Sequence, residues 1–166
     1  MAAGMTYFPI ATTTTSGSIG TTTFSSIIGT YTDLAIVVNG GASIAVDLSL
    51  RFNSDTGSNY SLTRLMLNNT TPQSARTTST TSMRLSDSGS LSTTLGATNQ
   101  ILNIMNYANT TTYKTVLFRG NRAAGGLDAT VGLWSSTSAI TSVTLFLSSG
   151  NFTDGTTLTL YGIKAA

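Results

Sequence analysis

The chain of 166 residues contains no cysteine, no histidine and no glutamate. Without cysteine no disulfide can staple the fold, and the redox compartment leaves no trace. Without histidine or cysteine, a Ser-His-Asp or Cys-His catalytic arrangement is excluded, and so is a histidine-based zinc or iron site. The only acids are Asp33, Asp47, Asp55, Asp87, Asp128 and Asp154. Each lies beside a turn or on an outward strand position, so a paired-carboxylate hydrolase is not expected. No Gly-rich phosphate loop is present. The expectation is a protein that is not an enzyme, with no catalytic residue, cofactor or metal.

Charge is scarce. Charged residues make up 8% of the chain, against about a quarter in ordinary domains. The basic residues are scattered with no run of three, which argues against a nucleic-acid partner. The longest apolar run, Leu34 to Val38, falls far short of a membrane-spanning helix, which needs about 20 residues. No basic-then-apolar leader opens the sequence, so neither a membrane nor a cleavable export signal is expected. Both ends are expected to be held, by the fold or by a neighbouring subunit.

What is present is β-forming. Hydrophobic residues are 40% of the chain, and Ser, Thr and Asn fill the space that charge leaves. Ser43 to Phe52 alternates without a break: Ile44, Val46, Leu48, Leu50 and Phe52 on one face; Ser43, Ala45, Asp47, Ser49 and Arg51 on the other. Side chains along a strand point to opposite faces in turn, so this predicts a long, half-buried central strand. Asn39-Gly40-Gly41 predicts a hairpin joining it to Leu34–Val38. Further strands are expected at Tyr60–Leu67, Asn99–Tyr107, Thr111–Arg119, Leu127–Trp134, Ile140–Leu147 and Thr156–Ile163. Gln73–Leu85 reads as a Thr-rich edge strand and loop. Turns are expected at 68–72 and 87–90, and a mobile loop at 120–126.

Eight to ten strands at this spacing, with no helix, predict an all-β fold: an antiparallel two-sheet β-sandwich, jelly-roll-like. No linker or internal repeat appears. One domain over residues 1–166 is expected, entered by an extended N-terminal arm at 1–23.

The 53–59 loop places oxygen-bearing residues at alternate positions up to Gly57, faintly like a calcium loop. Only Asp55 is ionised there, however, and Arg64 stands where an EF-hand puts its closing acid. A structural turn is the stronger reading, one that fixes pairing with Tyr60–Leu67. Trp134 with Tyr31, Tyr60, Tyr107, Tyr113 and Tyr161 reads either as a glycan-stacking platform or as core and subunit-contact aromatics. Arg51, Arg64 and Arg84 are candidates to pair with acids on another chain. Some strands are apolar on both faces: Val116 and Phe118 against Leu117; Phe146 against Leu145 and Leu147; Tyr161 and Ile163 against Leu158 and Leu160. A second apolar face implies a covering partner, and few charges are available to blunt sheet edges. A stable oligomer is therefore expected.

Five stretches carry a resemblance. They are Tyr31-Thr32-Asp33-Leu34, the run from Leu50 to Ser61 (LRFNSDTGSNYS), Asn106-Tyr107 with Lys114-Thr115, Trp134 to Ser142 (WSSTSAITS), and Leu160-Tyr161-Gly162-Ile163. In that order, over about residues 24–164, the chain resembles a family of small virion proteins of tailed bacteriophages. The resemblance implies a structural β-sandwich module. Relatives of this kind serve as capsid decoration (cement) proteins, commonly trimers seated where major capsid subunits meet, and as tips of tail appendages. The family has no catalytic residues to carry over. The chain opens within a few residues of the module, whereas a fibre tip is expected to carry a long N-terminal shaft. The expectation is thus a homotrimeric decoration protein on the capsid surface. A tail-fibre or baseplate receptor-binding tip, or a lectin-like module, is the alternative. The subunit or capsid contacts expected are Tyr7, Phe8, Asn53, Asp55, Asn59, Phe146 and Tyr161.

Overall fold

A computed structural model describes residues 6–86, 91–95, 97–122 and 124–164. The described residues form twelve strands and no helix. The expected turn at 87–90 lies outside them. In chain order the strands are β1 (Tyr7–Thr14), β2 (Thr21–Phe24), β3 (Asp33–Gly40), β4 (Leu48–Phe52), β5 (Tyr60–Asn68) and β6 (Thr71–Thr80). They continue with β7 (Met83–Arg84), β8 (Thr98–Met105), β9 (Lys114–Arg122), β10 (Gly126–Trp134), β11 (Val143–Leu147) and β12 (Thr157–Ile163).

Two antiparallel sheets result. The larger has eight strands in the order β1-β12-β3-β8-β9-β10-β5-β6, and the smaller has four in the order β2-β11-β4-β7. This is the expected all-β sandwich. Its strand count exceeds the expected eight to ten because β2 and β7 are too short, at four and two residues, to show a pattern. The segment read as an N-terminal arm supplies β1, an edge of the large sheet, and β2, an edge of the small one.

The core lies between the sheets. Leu34, Ile36 and Val38 of β3, Leu102 and Ile104 of β8, Val116 and Phe118 of β9 and Leu158 and Leu160 of β12 point inward from the large sheet. Leu48, Leu50 and Phe52 of β4 meet them from the small sheet, with Val143 and Leu145 of β11. Period-two alternation produces this directly: one residue in two is buried along β5, β8, β9, β10 and β12. Thr-rich β6 is an exposed edge strand, as its composition implies.

Four local expectations fail, three of them for one physical reason. Ser43–Phe52 is regular only from Leu48. Upstream, Ala42 and Val46 make single bridges to Phe152 and Leu91, and Ile44 is exposed. Asn39-Gly40-Gly41 is no hairpin, because β3 belongs to the large sheet and β4 to the small one. A Cβ at Gly41 would collide with the Ser92 carbonyl oxygen, and the place of Gly40 is set by Thr156. Its hydroxyl accepts from Gly41 N–H at 3.0 Å and donates to Gly41 C=O at 3.1 Å, and a Cβ at Gly40 would overlap its side chain. Likewise β4 and β5 are not paired; the 53–59 loop carries the chain from one sheet to the other. Alternation says which face a residue takes, but the partner strand is chosen by long-range packing. The loop expected over 120–126 is also shorter, since β9 runs on to Arg122 and β10 begins at Gly126.

Gly162 shows how tightly the large sheet meets its connections. It lies on β12 opposite Phe8 of β1. The Tyr31 ring sits directly over its Cα, where any Cβ would overlap it. Phe8 packs on the same ring, with centroids 5.9 Å apart, and the Lys164 ammonium lies over both rings at 5.3 and 5.9 Å. Overpacking of this kind costs about 1–3 kcal/mol. Gly162→Ala is expected to lower unfolding free energy by about that amount, read as a lower urea midpoint at unchanged slope.

Candidate interaction surface

The polar loop residues expected to make contacts are engaged within the chain. Asp55 accepts from Gly57 N–H at 2.8 Å, from Asn59 Nδ2 at 2.9 Å and from Trp134 Nε1 at 2.7 Å. Asn53, at φ 50°, accepts through Oδ1 from the backbone N–H groups of Thr141 and Ser142 at 2.9 and 3.1 Å. It donates from Nδ2 to Ala139 C=O at 2.8 Å. The Tyr60 hydroxyl accepts from Phe52 N–H at 3.0 Å and donates to Asp55 C=O at 3.2 Å. Asp55 thus accepts three hydrogen bonds from neutral protein donors, and the loop is a shaped turn.

The charge states follow from these contacts. Burial pushes the Asp55 carboxyl up, but the hydrogen bonds from Trp134, Asn59 and Gly57 outweigh it and hold it below 3.8. Burial raises the Tyr60 phenol to about 12, with Asp55 adding to the rise and the Phe52 N–H opposing it. Lys114 is fully buried, and burial lowers its pKa. Its Nζ donates to Thr112 C=O at 2.8 Å and Thr137 C=O at 3.3 Å, pinning two neighbouring loops together.

The candidate aromatic platform does not form one surface. Trp134, Tyr60 and Tyr107 are core residues, exposed by 2%, 0% and 0%, whereas Tyr113 is exposed. Trp134 stacks on Tyr60 at 6.5 Å and packs on Phe52 at 5.4 Å. Arginines singled out for partner chains are used at home. Arg84 pairs with Asp47 at 2.6 Å. Arg51 lies 4.7 Å over the Phe146 ring and donates to Thr81 C=O. Arg64 is buried between the sheets. Among the described residues no group of three or more Asp, Glu, His or Cys side chains converges.

The expected contact residues fall into four places. Asn53, Asp55 and Asn59 lie at one end of the sandwich, in the β4–β5 loop. Phe146 is on the outer side of the small sheet, half-buried under Arg51. Tyr7 and Tyr161 come together on the outer face of the large sheet, edge to face at 6.2 Å. Phe8 points the other way, under Tyr31 and Lys164.

That outer face is the surface the sequence showed only in part. Strand register sets Leu65, Ala129, Arg119, Ile101 and Val37 in one row across β5, β10, β9, β8 and β3. Thr63, Val131, Leu117, Asn103, Ala35 and Tyr161 form the next row. Leu65 is 64% exposed, Val131 53%, Leu127 47% and Leu117 42%. Leu117 was visible as an apolar residue opposed to Val116 and Phe118. Leu65 and Val131 become part of one patch only when β5, β10 and β9 are placed side by side.

In comparison with known proteins, the sequence matches no family model and no curated protein. Among solved structures it is similar to exo-inulinase from Aspergillus awamori, at 15% identity and a TM-score of 0.38. That match covers 95% of this chain and 29% of the inulinase chain, and a likeness this distant carries nothing about activity.

Asp55→Asn removes the charge that three donors share and sets an amide NH2 against at least one of them. A cost of about 1–2 kcal/mol is expected, allowing for partial exposure. Because the folded carboxyl titrates below 3.8, its stabilisation is complete above the unfolded value and is lost as pH falls through the folded one. Urea midpoints measured from neutral pH down to about pH 2 should fall less steeply at the acid end in Asp55→Asn than in the wild type.

Proposed function

We propose that the chain is a structural protein of a tailed-bacteriophage virion, a capsid decoration protein that acts as a homotrimer bridging major capsid protein subunits. Two things support this reading. The first is the resemblance carried by the Leu50–Ser61 and Leu160–Ile163 stretches. The second, and the observation that carries the reading, is the apolar outer face of the eight-stranded sheet, with Leu65, Leu117, Leu127 and Val131 exposed side by side. Contiguous exposed apolar surface on a folded domain marks a place where another macromolecule sits.

The mechanism is binding without chemistry. A rigid sandwich laid across a junction between shell subunits must be peeled from both before they separate. Its contribution grows with contact area and with the number of copies on the lattice. A surface rich in Thr and Ser and poor in charge suits this, because few ions must be desolvated on docking. The rigidity comes from the closed core and from the loop hydrogen bonds of Asn53 and Asp55.

Virions carrying the protein and virions lacking it, heated in parallel, are expected to differ: DNA release occurs at lower temperature without it. Identical release curves contradict the role. Copy number read from a stained gel should match the capsid lattice; a handful of copies per particle would place the protein on the tail instead.

A further inference from the structure

The outer face of the large sheet has a charge pattern that says what it fits. Arg119 projects from β9, the fifth of the eight strands, so it stands near the middle of the face. Its row neighbours are Ile101 on β8 and Ala129 on β10. Leu117 and Asn121 are the next outward residues along its own strand. Two shallow depressions, of about 320 and 360 Å³, meet at Arg119 and Ala129. One is floored by Ile101 and Leu127, the other by Leu65, Leu117 and Val131. Arg119 is exposed, and among the described residues its guanidinium has neither an ion-pair nor a hydrogen-bond partner. Arg76 on β6 is a second exposed cation at the rim of the same face, in the row of Thr63 and Val131. Asp128 of β10 borders the first depression, but its side chain is buried, and Asp33, at the start of β3, already accepts from Asn106 N–H.

We propose that this face docks a protein surface of different sequence that presents a carboxylate to Arg119 within a collar of apolar side chains. The inference rests on the reading above and names the chemistry of the shell subunit that would sit there. Area supports it: eight strands about 4.8 Å apart and about 25 Å long present on the order of 800 Å². That is one partner's share of a standard stable interface. Charge selects the occupant. A second copy packed face to face about the centre of the patch would set Arg119 against its own symmetry mate, with no carboxylate in reach to compensate. An incoming Asp or Glu instead meets a planar fork of donors in a site that excludes water, where a paired guanidinium fixes register as well as adding affinity. The rest of the trimer contact is left to other surfaces of the sandwich.

The test uses the purified chain and phage heads stripped of it, with binding read by co-sedimentation and oligomeric state by light scattering. Wild type is compared with Arg119→Glu, Arg119→Lys and Leu117→Asp. Both positions are exposed, and matched circular dichroism and melting curves confirm folding. Wild type is expected to bind. Arg119→Glu should bind at least about thirtyfold more weakly, since a fully desolvated pair is broken and reversed. Leu117→Asp should bind about tenfold or more weakly. Arg119→Lys should fall between wild type and Arg119→Glu, because a point charge replaces the fork. The oligomeric state should be the same in all four. If wild type binds and the variants bind equally well, the face is not the docking surface, while the decoration reading stands. If wild type fails to bind heads, the decoration reading itself fails and takes this inference with it. If Leu117→Asp dissolves an oligomer that wild type forms, the occupant is a second copy and the proposal is overturned.

Discussion

The fold depends on how one carboxylate is held. Asp55 sits where the chain leaves the small sheet at Phe52 and enters the large sheet at Tyr60. Trp134 reaches it from β10, Asn59 and Gly57 from its own loop. The Tyr60 ring, stacked on Trp134, sends its hydroxyl back to the Phe52 and Asp55 backbone. Asn53 ties the same loop to residues 139–142, which lead into β11 of the small sheet. One turn therefore sets the relation of the two sheets at this end of the sandwich. Such a network is worth having only when every member is satisfied, because a donor or acceptor stranded in the core costs more than its bond contributes. The aromatic rings of Phe52, Tyr60 and Trp134 provide the low-dielectric wall that makes these bonds strong.

The two sheets that meet at that junction are unequal. Four strands pack against the inner side of eight. In an ordinary sandwich the outward positions of such strands are polar, giving apolar-in, polar-out alternation. Here the outward positions of β5, β9 and β10 hold Leu65, Leu117, Ala129 and Val131. In the isolated chain much of their surface stays in water, Leu65 being 64% and Val131 53% exposed. Such a contiguous apolar patch suits a face that another surface covers, and this links the fold to the proposed role in a shell.

Much of the architecture was legible because alternation is a local consequence of one-sided burial. The strands β5, β8, β9, β10 and β12 announce themselves this way, and Thr-rich β6 declares itself an edge. What was not legible was pairing. Ile44 keeps the rhythm of Val46, Leu48 and Leu50, yet it lies outside the ladder and in water. Asn39-Gly40 carries hairpin chemistry, but Gly40 answers to Thr156, more than a hundred residues away in sequence. Register between distant strands is settled by packing, and no short stretch encodes it. The site was readable to the same depth. Leu117 stood out as an apolar residue on a second face, but Arg119, two positions on, looked like one more scattered cation. Its place in the middle of the patch exists only after β8, β9 and β10 are set side by side. The hydrogen bonds that shape the 53–59 turn are equally hidden in the sequence, because Asp55 is met by Trp134 of β10 and Asn53 by residues 139–142.

The central claim is that this sandwich works by turning the outer face of its larger sheet toward a partner surface. An electron cryomicroscopy map of virions bearing the protein tests this most directly. The account predicts density of the shell against Leu65, Leu117, Arg119 and Val131, with the 53–59 and 106–113 loops clear of it. A map in which those loops meet the shell while the face of the large sheet lies open to solvent would contradict it.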